Sequence, residues 1–245
     1  MGCIMDTNIW DQDTFAARLR EVGTRRYHDR HPFHLLMNNG RLSAEAIRGW
    51  VANRFYYQRN IPIKDAAIVS NCPIREVRRV WLHRILDHDG AREGEGGVEA
   101  WLRLAEACGM AREEILDERH VLPGVRFAVD TYVNFARTKP WPVAVASSLT
   151  ELFAPDLMAE RLAAFEKHYS WVQPSGLEYF RRRVTQARVD SEEGLQLTLT
   201  YCNTEALQEE ALRALSFKCD VLWSMLDAIQ AGYATDHIDP SALAR

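Results

Sequence analysis

Polar and basic side chains recur at positions where helical spacing would place apolar residues. Between Ile47 and Ile61, for example, the apolar series is interrupted by Arg54 and Gln58, with Tyr57 beside them. Residues three and four apart share one face of a helix, so these side chains point the same way as the apolar ones. The residues with this placement are Arg54, Tyr57, Gln58, Lys64, Arg84, His88, Tyr132, Arg161, Tyr179, Arg183 and Lys218.

A single arginine or lysine on an apolar face normally reaches the protein surface or pairs with a carboxylate. Here several helical segments carry such residues, and the same faces supply few carboxylates. An unpaired charge inside a core costs several kcal/mol. The pattern therefore predicts helices that enclose a wet cavity for an anionic small molecule, since guanidinium forks suit carboxylate or phosphate groups.

A metal site is a weaker interpretation of the same residues. His28, His31 and His34 have a spacing that could suit a metal, but Pro32 interrupts them. A second set resembles a di-iron site of a helical bundle but lacks the paired Glu-x-x-His motif. Its members are Asp65, Asp87, His88 and Glu151.

Phosphate-loop and acyl-transfer chemistry are also disfavoured. The glycines of the EGEGG segment follow no predicted strand, unlike those of a phosphate-binding loop. Ser147 and Ser148 lack the glycine pattern of a nucleophile elbow. The five cysteines form no CxxC pair, which predicts reduced thiols rather than a zinc site or a disulfide framework.

Composition limits the remaining classes of protein. The 245 residues include 30 Lys and Arg and 34 Asp and Glu, a net charge of −4, with 47% hydrophobic residues. These values exclude a disordered chain and disfavour a nucleic-acid coat protein. No apolar run approaches the ~18 residues of a membrane helix, and the N-terminus has no export signal. We therefore expect a cytoplasmic protein with neither nucleic-acid nor membrane partners.

Hydrophobic periodicity near 3.6 residues dominates the chain and predicts an all-α fold. We expect one catalytic domain over residues 1–245, a compact bundle of about seven or more helices. Its core covers about residues 10–233, followed by a short flexible tail, and Pro62 should kink or break the second helix. The predicted helices are about Asp13–Val22, Ala44–Ile61 continued by Ile63–Ser70, Pro73 to the Asp87–Gly97 stretch, Val98–Cys108, Pro123–Thr138, Pro142–Phe153, Asp156–His168, Ser175–Gln186, Ser191–Cys202 and Thr204–Tyr233.

Long blocks of the sequence resemble the pyrroloquinoline-quinone synthase (PqqC) family of the haem-oxygenase/TenA-like superfamily. The resemblance extends from about Tyr27 to Tyr233, through WVANRFYYQRNIPIKDAAI, RILDHDG, GGVEAWLRLAEACG, HVLPGVRFAVDTYVNFA, ASSLTELFAP and FKCDVLWSMLDA. It implies a helical bundle that forms a homodimer and catalyses the last step of PQQ biosynthesis. That step is the ring closure and eight-electron oxidation of the precursor AHQQ, with molecular oxygen as oxidant and hydrogen peroxide as a product. The resemblance implies no metal and no organic redox cofactor, and both AHQQ and PQQ carry several carboxylates.

The resemblance also implies roles for individual residues. It matches His88 to the acid/base of the family and places Tyr179, Arg183 and His28 where they would stabilise reduced oxygen. Met158 stands where some relatives carry a histidine, so any role of that histidine is absent or supplied by another group. The residues matched to substrate binding are Tyr27, Arg54, Tyr57, Gln58, Lys64, Arg84, Tyr132, Arg161 and Lys218.

Two further expectations concern the state of this site. Arg84 should lower the pKa of His88 and keep it neutral near pH 7, ready to act as a base. Because members of the family close helices over the bound quinone, the empty site should be loose. The alternatives are a non-catalytic PQQ carrier, a metal-dependent oxidase, and a TenA-like hydrolase on the same fold.

Overall fold

The computed structural model describes residues 9–235, without the side chains of residues 185–190. Every regular element within this range is a helix, which confirms the predicted all-α fold. Three 3₁₀-helices cover His28–Arg30, Ser147–Phe153 and Pro174–Leu177. The predicted C-terminal tail lies almost entirely outside the described residues. The α-helices are α1 (Gln12–Arg26), α2 (Pro32–Asn38), α3 (Ala44–Asn71), α4 (Arg75–Asp89), α5 (Gly96–Ala107), α6 (Arg112–Leu116), α7 (Pro123–Thr138), α8 (Trp141–Ala146), α9 (Ala154–His168), α10 (Glu178–Tyr201) and α11 (Glu205–Tyr233).

Helix α3 runs through Pro62 without a break, so the alternative of a broken helix was wrong, whereas a kink at this residue stays a prediction. A proline inside a helix removes one backbone hydrogen bond and costs about 3 kcal/mol. Helix α3 is buried along most of its length against α4, α5 and α7, and this packing offsets the cost. Consequently Arg54, Gln58 and Lys64 lie on one continuous helix.

Three other boundaries differ from the sequence prediction. The predicted helices Ser175–Gln186 and Ser191–Cys202 form the single helix α10. The predicted helix Pro142–Phe153 is α8 followed by a tighter 3₁₀ segment, whose last turns present Glu151 to the interior. The short helices α2 and α6 were missed, since elements of five to seven residues carry too few periodic positions to be recognised.

Local signals fix the ends of the helices that carry the site. The side chains of Asp11, Ser43 and Thr204 accept hydrogen bonds from the first turns of α1, α3 and α11. Helix α4 ends at Gly90, whose φ of +82° is accessible to glycine at little cost. A Cβ at Gly90 would lie 2.7 Å from the backbone of Glu95, so the residue must be glycine. This turn places His88 in the last turn of α4.

The largest apolar core joins α3, α5, α7, α9, α10 and α11. At its centre the rings of Trp50 and Trp101 meet edge to face, with centroids 5.3 Å apart. Phe165 and Phe180 pack against the same tryptophan, Trp50. Across residues 9–235, no helix combines the length and apolar character needed to cross a bilayer.

Candidate active site

The helices enclose a small polar cavity of about 50 Å³. Side chains from α3, α4, α9, α10, α11 and two 3₁₀ segments converge on it. This volume holds a few water molecules, whereas pockets for small organic ligands usually measure about 300–1,000 Å³. We call this space the inner cavity, and its walls are Tyr27, His28, Arg54, Tyr57, Gln58, Ile61, His88, Thr150, Glu151, Ala154, Met158, Tyr179, Arg183 and Leu222.

A wider cleft of about 490 Å³ opens outside the inner cavity, between α4, the start of α5 and α10. His88, Tyr179 and Arg183 line both spaces and therefore form the wall between them. The side chains of Asp87, Glu95 and Arg182 give the outer cleft mixed charge. A ligand that passed between these spaces would have to displace the shared wall.

The site residues expected from the sequence all gather at or behind the inner cavity. Eight of them line it directly, and the other five are buried in the next layer of side chains. The lining residues are His88, Tyr179, Arg183, His28, Tyr27, Arg54, Tyr57 and Gln58, and those behind are Lys64, Arg84, Tyr132, Arg161 and Lys218.

Some of the basic residues at the cavity pair with carboxylates, the buried Asp65 and the partly exposed Glu151. Lys64 Nζ lies 2.5 Å from Asp65 Oδ1 and donates to Ser148 Oγ at 2.9 Å. The Arg84 guanidinium donates to Glu151 Oε2 across 2.6 Å, and Arg183 lies 3.8 Å from the other oxygen of Glu151. The expectation of few interior carboxylates was therefore wrong for these residues.

Three other cations of the site have no carboxylate partner. Among the described residues, no carboxylate oxygen lies within 4 Å of Arg54, Arg161 or Lys218. Lys218 Nζ donates to the hydroxyl of Tyr57 at 2.6 Å and lies 3.7 Å from the ring centre of Tyr132. These three residues form what we call the unpaired cation group.

The remaining contacts of this group are also made with neutral groups. Arg54 lies over the ring of Tyr57 at 3.9 Å, and Arg161 over the ring of Trp50 at 4.9 Å. Arg54 NH1 and Arg161 Nε are buried and have no hydrogen-bond partner among the described residues. Buried donors without partners are costly, so they favour a ligand that accepts hydrogen bonds.

Burial acts on the charges of the group in a consistent direction. It lowers the pKa of Lys218 well below its ordinary value, and the nearby charges of Arg54 and Lys64 add to that effect. Burial, together with Arg54, also lowers the pKa of Arg161 to about 10. Both shifts report the same condition: positive charge without a counter-ion. An anion bound here would reverse them.

His88 is buried at the end of α4, with its Nδ1 2.9 Å from the carbonyl oxygen of Arg84. A carbonyl oxygen can only accept, so Nδ1 carries the hydrogen and Nε2 is left unprotonated. Burial and the charge of Arg183 lower the pKa of His88 to about 4. The expected direction agrees with the structure, but the expected cause does not, because the Arg84 guanidinium is occupied by Glu151.

The histidines near the N-terminus do not converge on one point. His31 Nε2 lies 3.0 Å from Asp227, away from the cavity, whereas the rings of His28 and His34 lie 4.8 Å apart. Within residues 9–235, no group of three or more His, Cys, Asp and Glu side chains is placed to hold a metal ion. That the reaction needs no metal stays a prediction.

Tyr179 is held in place by contacts of both its hydroxyl and its ring. Gln58 Nε2 donates to this hydroxyl at 2.8 Å, inside the protein. The ring of Tyr179 packs edge to face on Trp101, with centroids 4.8 Å apart. The phenol is thus held at the wall between the inner cavity and the outer cleft.

Besides Ile61, Thr150, Ala154, Met158 and Leu222 of the cavity wall, four residues with polar contacts in the site were not assigned to it from the sequence. Asp65 and Glu151 were considered only as metal ligands, Ser148 only as a nucleophile, and His34 only as part of a histidine run. Asp65 carried a usable signal, because it is a lone carboxylate on the buried face of α3. The expectation of a loose site was also wrong for this structure, since the inner cavity is narrow and its side chains are packed.

Comparison with known proteins identifies the family. The model of the TENA/THI-4/PQQC family matches residues 16–228. The chain belongs to the TENA/THI-4/PQQC family. This membership confirms the resemblance identified from the sequence blocks.

Individual relatives cover nearly the whole chain. A protein of Pseudomonas aeruginosa (strain LESB58) is 60% identical over 94% of this chain and 91% of its own length. A protein of Cronobacter sakazakii is 58% identical over 91% of this chain and 89% of its own. A protein of Klebsiella pneumoniae (strain 342) is 54% identical over 93% and 90%. Each of the three is named pyrroloquinoline-quinone synthase.

Solved structures share the architecture at low sequence identity. A TenA homologue from Pseudomonas syringae pv. tomato superposes with a TM-score of 0.73 at 13% identity, over 89% of this chain and 92% of the homologue. A Shewanella denitrificans domain with a heme oxygenase-like fold gives a TM-score of 0.71 at 14% identity, covering 91% of each chain. These likenesses confirm the expected haem-oxygenase/TenA-like fold.

Proposed function

We propose that this protein is a pyrroloquinoline-quinone synthase. It catalyses the final step of PQQ biosynthesis, the ring closure and oxidation of AHQQ, with molecular oxygen as co-substrate and hydrogen peroxide as a product. No metal or organic redox cofactor takes part, and PQQ is the product. The observation that carries this proposal is the unpaired cation group, Arg54, Arg161 and Lys218, beside a neutral histidine.

The charge distribution of the site suits a polycarboxylate. Asp65 and Glu151 already compensate Lys64 and Arg84. The unpaired cation group has only π faces and neutral acceptors around it, so its positive charges remain able to attract anions. Carboxylates of AHQQ bind there, and their attraction to the cations partly replaces the hydration energy that the cations lost on burial. Several contacts of this kind hold the substrate in one orientation.

His88 acts as the acid/base of the reaction. Its unprotonated Nε2 belongs to a ring that lines the inner cavity, where it takes protons from the substrate during cyclisation and oxidation. A pKa near 4 makes His88 a weak base before the substrate binds. A substrate carboxylate bound nearby offsets the charge of Arg183, which lowers this pKa. Substrate binding therefore raises the pKa of His88 and makes it a stronger base for removing protons from the substrate.

Tyr179, His28 and Arg183 stabilise the oxygen-derived anion. They line the inner cavity together with His88. The hydroxyl of Tyr179 and the guanidinium of Arg183 can donate hydrogen bonds to superoxide or peroxide as charge develops. The narrow inner cavity also means that AHQQ must move the wall formed by His88, Tyr179 and Arg183 before it is enclosed. The outer cleft provides the approach to that wall.

Oxygen uptake by the purified, metal-free protein on addition of AHQQ tests this function. The proposal requires oxygen consumption with formation of PQQ and hydrogen peroxide, undiminished by a chelator. A carrier protein would bind PQQ but consume no oxygen, and a metal-dependent oxidase would lose activity on chelation. A TenA-like hydrolase needs a positioned nucleophile, but Cys219, beside Lys218, is buried and its pKa is raised to about 11 by that burial.

The oligomeric state and the location of the protein belong to the same proposal. We infer a cytoplasmic homodimer that has no nucleic-acid or membrane partner. Exposed leucines one turn apart on α4, Leu82 and Leu86, support an interface on that face. Sedimentation of the purified protein distinguishes a dimer from a monomer.

A further inference from the structure

His34 is a buried histidine of α2 whose two ring nitrogens have different partners. Nδ1 lies 2.9 Å from the carbonyl oxygen of His28, and Nε2 lies 2.9 Å from NH2 of Arg161. A carbonyl oxygen only accepts, and a guanidinium only donates. Nδ1 therefore carries the ring hydrogen and Nε2 is the acceptor. The two contacts together define one neutral tautomer of His34.

Arg161 depends on this imidazole for its orientation. Its side chain is 2% exposed, and among the described residues no carboxylate lies within 4 Å of it. Its other contacts are the face of Trp50 at 4.9 Å and the sulfur of Met158 at 4.0 Å. Neither is a strong hydrogen-bond acceptor. Among the described residues, His34 is thus the hydrogen-bond acceptor that directs the guanidinium.

We propose that His34 is a positioning residue that holds Arg161 for anion binding while leaving its positive charge uncompensated. The inference rests on the proposed function, in which Arg161 binds a carboxylate of the substrate. A carboxylate in place of His34 would orient the guanidinium equally well but would cancel the charge that attracts the ligand. An apolar side chain would leave the charge intact but its direction undefined. Only a neutral acceptor supplies both properties.

The variants His34→Gln and His34→Glu separate orientation from charge. Their side chains have the same length, and both place an oxygen acceptor near Arg161. Titration with PQQ, followed by its absorbance or by calorimetry, should give nearly wild-type affinity for His34→Gln. His34→Glu should bind PQQ about tenfold or more weakly, the size expected for a charge-assisted hydrogen bond. Equal affinities of the two variants would overturn the proposal.

The variant His34→Leu tests whether the effect acts through Arg161. Alone, it should raise KM for AHQQ about tenfold with little change in kcat, because a misdirected clamp weakens substrate and transition state alike. In an Arg161→Ala background, the same change should cause no further loss. A fall in kcat with KM unchanged, or an equal loss in both backgrounds, would instead assign His34 a general structural role.

Thermal unfolding without ligand tests the contact between His34 and Arg161 independently of the proposed synthase activity. His34→Glu should raise the melting temperature of the empty protein, because the new carboxylate pairs with a buried guanidinium. His34→Leu should lower it in the wild-type background and lower it less in the Arg161→Ala background. If the wild-type protein fails to bind PQQ, the proposed function is wrong, whereas a melting temperature independent of Arg161 refutes the His34 contact itself.

Discussion

Arg84 and Glu151 form an ion pair of 2.6 Å at the edge of the inner cavity, with the guanidinium buried and the carboxylate partly exposed. Burial alone would raise the pKa of the Glu151 carboxyl, but the charges of Arg84 and Arg183 outweigh it and lower the pKa to about 2. Glu151 is therefore an anion at every pH at which the protein is used. It competes with a carboxylate ligand for the guanidiniums of Arg84 and Arg183.

The variant Glu151→Gln should trade stability for affinity. Loss of the carboxylate removes the 2.6 Å ion pair of the buried Arg84 guanidinium, so the free energy of unfolding should fall by about 3 kcal/mol. The affinity for PQQ should rise about tenfold, because one competing negative charge has left the cavity. Denaturant unfolding and PQQ titration measure the two effects. The matched control is Glu99→Gln, a carboxylate that is equally exposed and paired with Arg112, and it should leave PQQ affinity unchanged.

The variant Lys218→Met should have the opposite pair of effects. It removes a buried charge that has only the Tyr57 hydroxyl and aromatic rings as partners, so the empty protein should melt about 2–4 °C higher. PQQ should bind about tenfold or more weakly, since one member of the unpaired cation group is lost. Lys139→Met, at a partly exposed lysine 3.9 Å from Glu210, is the control. Unaltered PQQ affinity in Lys218→Met would remove Lys218 from the binding site.

Replacement of His88 should separate binding from turnover. The variant His88→Asn keeps a donor for the Arg84 carbonyl but has no basic nitrogen, so PQQ should still bind while oxygen uptake with AHQQ falls about 10²–10⁴-fold. His83→Asn changes an exposed histidine on the same helix and should retain full activity. Full activity of the His88 variant would exclude this residue from proton transfer.

The pH profiles of kcat/KM and of kcat should lose activity at different acid pH values. In the free protein the pKa of His88 is about 4, and the neutral base is lost only as the pH falls through that value. The profile of kcat/KM reports the free enzyme and should lose activity near pH 4. The profile of kcat reports the complex, in which bound carboxylates raise the pKa of His88, so its acid limb should lie at higher pH. Steady-state oxygen uptake from about pH 3 to pH 8 measures both, and coincident limbs would contradict the electrostatic coupling.

Parts of the fold were readable from the sequence because they depend on local spacing. Apolar residues repeated at 3.6-residue intervals located α1, α5, α7, α9 and α11 to within a few residues. A break at Pro62 was wrongly allowed, because the local cost of the proline is outweighed by the packing of α3 on neighbouring helices, which no local pattern records. The division of residues 142–153 into α8 and a 3₁₀ segment was hidden for the same reason.

For the site, the sequence by itself determined which side chains turn inward, because a helix fixes the face on which Arg54, Arg161 and Lys218 lie. Which of the inward cations are neutralised was decided only by the tertiary structure. Arg84 meets Glu151 across 67 positions of the chain, and Lys218 meets Tyr57 across 161. Electrostatic energy depends on distances of a few ångströms between helices, and helical periodicity carries no information about them.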